Sequence, residues 1–124
     1  MESGQKMQYN GGIIDAHCDT VHLFAEMKDV YNFAQKNTIA QLDLPRMEAA
    51  GIKVQFFALY IEPEYKYGNA LKRCMQLLDL FYQTIETCEE RIEAVFNYDD
   101  LLRVNNEGKI AAILTVEGGE VLEG

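Results

Sequence analysis

The sequence has no apolar run that approaches the roughly 20 residues of a transmembrane helix. Its first twelve residues, MESGQKMQYNGG, are polar and lack the apolar segment of a secretory signal peptide. We therefore expect a chain without a membrane span and a cytoplasmic location.

Basic residues are scarce relative to acidic ones. The 11 lysines and arginines stand against 20 aspartates and glutamates, which gives a formal net charge of −9. Because phosphate groups bind to clustered Lys and Arg, this balance argues against nucleic acid as a partner.

Cysteine is sparse as well. Cys18, Cys74 and Cys88 are odd in number and widely spaced, and no CxxC pair occurs. This pattern favours free thiols in a reducing compartment over a disulfide framework or a thiolate zinc site.

The overall amino-acid composition is typical of a soluble globular chain. Hydrophobic residues make up 48% of the 124 positions and charged residues 25%. No linker composition, repeat or low-complexity tract divides the chain. We therefore predict one domain, or part of one, over residues 1–124.

The first half of the chain predicts two strands with a short helix between them. GIIDAHCDTV is typical of a strand that enters a loop, and residues 22–41 predict loop with at most a short helical piece. In LDLPRMEAAG, Asp43 can cap a helix, Pro45 suits its first turn and Gly51 can end it. Residues 52–61, IKVQFFALYI, then predict a strand that is covered on both faces.

The second half predicts a long amphipathic helix that begins at Asn69. Its apolar residues recur at steps of three and four, as in a helix packed on a sheet, although a coiled coil would use the same spacing. The predicted apolar stripe is Leu71, Cys74, Leu78, Phe81, Ile85, Cys88 and Ile92. Along this stripe, Cys74 and Cys88 are expected to be buried core thiols.

A short helix and a third strand complete the predicted order. Asn97 or Asp99 can cap the helix, Gly108 can end it, and residues 110–116, IAAILTV, are apolar throughout. Strands that alternate with helices indicate an α/β fold with a parallel sheet and right-handed crossovers.

Two predicted strands deliver possible metal ligands at their carboxyl ends. His17 and Asp19 lie two residues apart, so on an extended segment both side chains point to the same side. Glu117 follows the third strand and could add another ligand to a zinc site. The alternative is ordinary turn chemistry, since Asp often closes turns. His22 has no such partner and is interpreted as a surface or structural residue.

Three segments together carry a family resemblance. IIDAHCDT, LDLPRMEAAGIKVQFFALYI and AAILTVEGGEVLEG, which span residues 13–124, resemble the membrane dipeptidase (renal dipeptidase-like) family of zinc peptidases in the amidohydrolase superfamily. The resemblance implies an α/β chain that forms the N-terminal portion, about three strands, of a parallel (βα)₈ TIM barrel.

The resemblance also implies a site with two zinc ions, in which a metal-bound hydroxide hydrolyses dipeptides. His17 and Asp19 would bind one zinc, and Glu117 would bridge both and so serve as a catalytic residue. Cys18 is not expected to be a ligand, because related sequences frequently carry Asn or Thr there.

The same resemblance implies that the site is incomplete in this sequence. The ligands of the second zinc, a substrate-binding arginine and a proton-handling aspartate would come from later strands. Three of eight strands cannot close a barrel, and an exposed strand edge invites association. We therefore expect the chain to be inactive alone and to pair with the remainder of the barrel or with itself.

Two other functions remain open from the sequence. The first is a different amide hydrolysis of the same superfamily, such as deacylation of an N-acyl D-amino acid. The second is a catalytically silent α/β interaction module.

Overall fold

A four-stranded parallel sheet forms the centre of the computed structural model, which describes residues 11–123. The strands are β1 (Ile13–Asp15), β2 (Ile52–Tyr60), β3 (Ile92–Ala94) and β4 (Ile110–Glu117), in the order β1-β2-β4-β3. All pairs are parallel. The predicted α/β class and parallel sheet are confirmed, whereas the prediction for the polar leader lies outside the described residues at positions 1–10.

Four helices connect the strands: α1 (Val21–Glu26), α2 (Leu44–Ala50), α3 (Ala70–Glu86) and α4 (Tyr98–Asn106). Short 3₁₀ turns follow β2 at Pro63–Tyr65 and β4 at Glu120–Leu122. No helix within residues 11–123 combines the length and apolar character that crossing a membrane requires.

The predicted ends of α2 are confirmed. The Asp43 side chain accepts a hydrogen bond from the backbone N–H of Arg46, and Pro45 lies in the first turn. Gly51 ends the helix with φ of +78°, a left-handed conformation that glycine adopts without a steric penalty. For α4, the Asn97 side chain accepts a hydrogen bond from the backbone N–H of Asp100, so Asn97 rather than Asp99 is the cap.

Apolar side chains cover β2 on both faces, as its composition predicts. On one face, Phe57 packs in the main core with Leu77 and Phe81 of α3. On the other face, Val54 lies in a smaller cluster with Val104 of α4. The predicted open edge is also present, because Ile13 and Ile14 of β1 are about half exposed, at 49% and 53%.

The predicted length of α3 and the count of three strands are wrong. The helix ends at Glu86, and the backbone N–H of Ile92 bonds to the carbonyl of Cys88 in the turn that follows. Ile92 then begins β3 and pairs with Ile110 of β4. Cys88 and Ile92 are buried, as the apolar residues of a continued helix would be. Their spacing of three and four residues therefore matched that of α3.

The buried face of α3 also differs in detail from the predicted stripe. Leu71 is half exposed and Leu78 only partly buried, whereas Leu77 is fully buried. Cys74 is buried, as predicted. The helix thus turns a slightly different face toward the sheet than the apolar pattern indicated.

The segment predicted as loop at 22–41 begins with α1, which consists of six residues. Its Phe24 contacts Phe33 edge-on, with ring centroids 5.6 Å apart. The stretch between α1 and α2 is therefore packed on the core without regular structure.

Asp43 is completely buried and charged, and three contacts compensate for its burial. Burial alone would raise the pKa of this carboxyl group. Hydrogen bonds from the backbone N–H groups of Arg46 and Asn37, together with the Arg46 guanidinium at 2.6 Å, outweigh burial and hold the pKa below its usual range.

Replacing Asp43 with Ala should therefore lower the free energy of unfolding by about 2 kcal/mol. Because the pKa is lower in the folded state, this stabilisation is present at neutral pH and is lost as pH falls through the folded pKa. Urea denaturation of both proteins at neutral and acidic pH measures the effect. The exposed Asp29 provides a control, and an equal loss in Asp29→Ala would contradict the assignment.

Candidate metal centre

The chain beyond β1 stays attached to β2, and this attachment decides where its side chains point. The backbone N–H of Cys18 donates to the carbonyl of Phe56 at 3.1 Å, and the N–H of Ala58 donates to the carbonyl of Cys18 at 2.9 Å. This parallel pattern sets Cys18 opposite Phe57, on the face of the main core. The flanking His17 and Asp19 therefore point to the other face.

Glu117 reaches the same face from the neighbouring strand. It is the last residue of β4 and pairs in register with Tyr60, the last residue of β2. The parallel sheet thus brings the end of β4 beside the segment that follows β1. Both segments lie at the edge formed by the carboxyl ends of the strands, which we call the carboxyl edge.

The three predicted ligands meet at this edge. The Nε2 atom of His17 lies 3.2 Å from Oδ1 of Asp19 and 3.5 Å from Oε2 of Glu117. One ligand atom from each residue lies within 4.8 Å of the others, and each side chain is about half exposed. Across residues 11–123, no other group of three or more such side chains converges this closely.

The chemistry of this donor set fits zinc. One imidazole nitrogen and two carboxylate oxygens are ligands that Zn²⁺ accepts, and three protein ligands leave room for water or substrate. Because each side chain is about half exposed, solvent can reach the point where the three ligand atoms converge. The arrangement can therefore hold a cation at a position that a small molecule can reach.

The same three residues lie in segments that the chain shares with known proteins. The model of the membrane dipeptidase family, peptidase family M19, matches residues 1–124. The chain belongs to this family. The resemblance seen in its three sequence segments is thereby confirmed.

Individual relatives of this dipeptidase-family chain agree with the match. Dipeptidase tcpJ of Claviceps purpurea is 24% identical over 119 residues, covering 84% of this chain and 27% of its own length. The crystal structure of dipeptidase AC, an M19 metallopeptidase, superposes with a TM-score of 0.78 at 18% identity, over 91% of this chain and 37% of that one.

A second solved structure has the same fold. It is a metallopeptidase from Rhodobacter sphaeroides liganded with a phosphinate mimic of the dipeptide L-Ala-D-Ala, with a TM-score of 0.75 and 18% identity. The superposition covers 89% of this chain and 39% of that one. The chain thus spans well under half the length of the relatives that it matches.

Two residues near the candidate ligands His17 and Asp19, namely His22 and Cys18, are in different environments. His22 uses Nδ1 to contact the backbone carbonyl of Asp19, within the first turn of α1. Burial raises the pKa of the Cys18 thiol to about 11, so it remains protonated at neutral pH, and a protonated thiol is a poor ligand.

The sequence analysis did not identify Gln55, a residue of β2 that pairs with Asp15 at the end of β1. Its side chain is fully buried and donates from Nε2 to the carbonyls of Phe56, at 3.1 Å, and Asp15, at 3.4 Å. The signal was available, because Gln55 is a polar residue within an otherwise apolar strand core. The contact ties β2 to the residue where β1 ends, two positions before His17.

The sequence analysis did not identify Arg73 either. It lies on the buried face of α3, where a charged residue is not expected. Only 7% exposed, it forms a double contact with the Glu62 carboxylate and lies 3.7 Å from Glu26. Its guanidinium also lies 4.7 Å from the ring centroid of Tyr65. This side chain joins the segments that follow β1 and β2 to α3, and its hydrogen bond lowers the pKa of Glu62.

Zinc affinity of the full-length protein should depend on His17 and on pH. Replacement of His17 with Ala is expected to weaken binding by more than about 100-fold, beyond the usual effect of losing an outer partner of a metal ligand. Binding should also weaken as pH falls, since a metal ion requires deprotonated ligands. Competition with a chromophoric chelator measures both effects.

His22 is the matched control for this experiment, because it is the other histidine of the chain. Its replacement with Ala should change zinc affinity far less than that of His17. Equal losses from the two replacements would show that His17 is not a ligand.

Proposed function

We propose that this member of the membrane dipeptidase family hydrolyses dipeptides with two zinc ions. The observation that carries the proposal is the convergence of His17, Asp19 and Glu117 at the carboxyl edge of a family-type sheet. In parallel α/β folds, this edge is where catalytic residues are placed.

In the proposed site, His17 and Asp19 hold one ion and Glu117 holds both. The Oε2 atom of Glu117 lies 3.5 Å from Nε2 of His17, and a carboxylate has a second oxygen that could hold another ion. When bound, the zinc ions supply an activated water and polarise the scissile carbonyl. The two carboxylates would contribute the negative charge that attracts the cations.

The proposed substrate class follows from one of the similar structures. The Rhodobacter sphaeroides metallopeptidase is liganded with a phosphinate mimic of L-Ala-D-Ala. A phosphinate is tetrahedral and so resembles the transition state of amide hydrolysis, which enzymes bind more tightly than the substrate. We infer that this protein acts on small dipeptides of the same kind.

We further propose that residues 1–124 form the N-terminal segment of a single barrel domain. The half-exposed edge of β1 is available to a further strand, which closure of a barrel requires. In this interpretation, the remaining zinc ligands and the substrate-binding groups come from other parts of the barrel. The segment alone is then expected to be inactive. The cytoplasmic location stays a prediction.

Hydrolysis of L-Ala-D-Ala by the full-length protein tests the proposal. Activity should be lost with a strong chelator and restored by zinc. Glu117→Gln, which keeps size but removes the charge, should lower kcat/KM by at least about 100-fold, because the proposed ligand to both ions is weakened.

Two controls separate the proposal from its alternatives. Glu90→Gln removes an exposed carboxylate remote from the carboxyl edge and should leave kcat/KM unchanged. An N-acyl D-amino acid offered in parallel distinguishes dipeptide hydrolysis from deacylation. Chelator-resistant hydrolysis would reject the zinc mechanism, and absence of both zinc binding and hydrolysis would favour a silent module.

A further inference from the structure

Lys66 connects the two segments that leave β2 and β4 at the carboxyl edge. It follows the 3₁₀ turn Pro63–Tyr65, and its Nζ atom lies 2.9 Å from Oε1 of Glu120. Glu120 begins the 3₁₀ turn that follows β4, three residues after Glu117. Both side chains of the pair are about two-thirds buried, which sets them apart from freely solvated surface ions.

A second contact of Lys66 lies beside Glu117 itself. The Nζ atom is 5.4 Å from the centroid of the Tyr60 ring, a cation–π distance. Tyr60 is the register partner of Glu117, and partners in a parallel pair point to the same face. Lys66 therefore contacts both the cross-strand neighbour of Glu117 and the turn that follows Glu117.

The geometry of that turn makes Glu120 important for the position of Glu117. Gly118 has φ of +82°, a conformation that favours glycine. The Glu120 carboxyl group lies directly over it, since a Cβ atom added at Gly118 would come within 3.1 Å of Cδ of Glu120. The side chain that Lys66 holds is thus packed against the residue next to Glu117.

The charge of Lys66 adds a second effect at the same place. Its hydrogen bond lowers the pKa of Glu120, so this carboxylate stays charged and paired at neutral pH. The convergent ligand atoms among the described residues come from His17, Asp19 and Glu117, and Glu120 is not one of them. The Glu120 carboxylate is thus engaged by Lys66 and lies outside the cluster of candidate ligands.

We propose that Lys66 is a positioning residue for Glu117: through Tyr60 and Glu120 it holds the turn after β4 in the conformation that presents Glu117 to the metal. This inference rests on the proposed function, because it treats Glu117 as a zinc ligand. Lys66 is not one of the proposed ligands, and it lies in the segment that follows β2.

Zinc affinity of the full-length protein, measured by chelator competition, provides the main test. Lys66→Met keeps most of the apolar stem and removes the charge, and it should weaken zinc binding about 10-fold, as outer partners of metal ligands do. Lys66→Arg should retain affinity near that of the unchanged protein. Lys72→Met is the matched control, because Lys72 is an exposed lysine on α3 and should have no effect.

A double-mutant cycle separates positioning from general stability. In a protein that already carries Glu117→Ala, Lys66→Met should cause no further loss of affinity, since its effect acts through Glu117. The melting temperature of the metal-free protein should differ little between Lys66→Met and Lys72→Met. An equal loss of affinity with and without Glu117 would overturn the inference.

Exchanging the charges of Lys66 and Glu120 provides a second test if a single variant folds poorly. Lys66→Glu and Glu120→Lys should each weaken zinc binding, and the two together should restore much of it. Unchanged zinc affinity in Lys66→Met would reject Lys66 while leaving the proposed function intact. If the unchanged protein binds no zinc, or if Glu117→Ala binds it equally well, the proposed function itself fails.

Discussion

The pairing of β2 with strands on both sides is the constraint on which the candidate site depends. On one side, backbone bonds on either side of Phe57 attach Cys18 to β2. On the other side, Tyr60 pairs with Glu117. Because side chains alternate along a strand, a slip of one residue in either pairing would turn a candidate ligand to the opposite face. The two registers together bring His17, Asp19 and Glu117 to one place.

Several basic side chains within residues 11–123 join different segments of the structure. They pair with carboxylates that lie on other elements or on the segments between them. Examples are Arg73 with Glu62, Arg91 with Glu48, Arg103 with Glu93 and Lys66 with Glu120. These pairs neutralise some of the carboxylates, although the net charge of the chain is −9. At the carboxyl edge, Asp19 and Glu117 form part of the cluster that could hold a cation.

Local signals predicted the elements that depend on local interactions. The α2 helix has a capping aspartate, a proline in its first turn and a terminal glycine, each of which acts within a few residues. The strands β2 and β4 carry apolar runs long enough to be recognised without their partners. By contrast, β3 has three residues and exists because Ile92 pairs with Ile110, a contact between residues far apart in the sequence. Its apolar spacing matched the preceding helix, so α3 was predicted too long.

The sequence by itself determined which residues could bind a metal, because imidazole and carboxylate chemistry is local and three short segments carry the family pattern. Only the tertiary structure decided that these groups meet within 4.8 Å, since that distance depends on the sheet registers. It also decided which groups Gln55, Arg73 and Lys66 contact. Their contacts lie in other elements or in segments that only folding brings together, and no spacing along the chain encodes them.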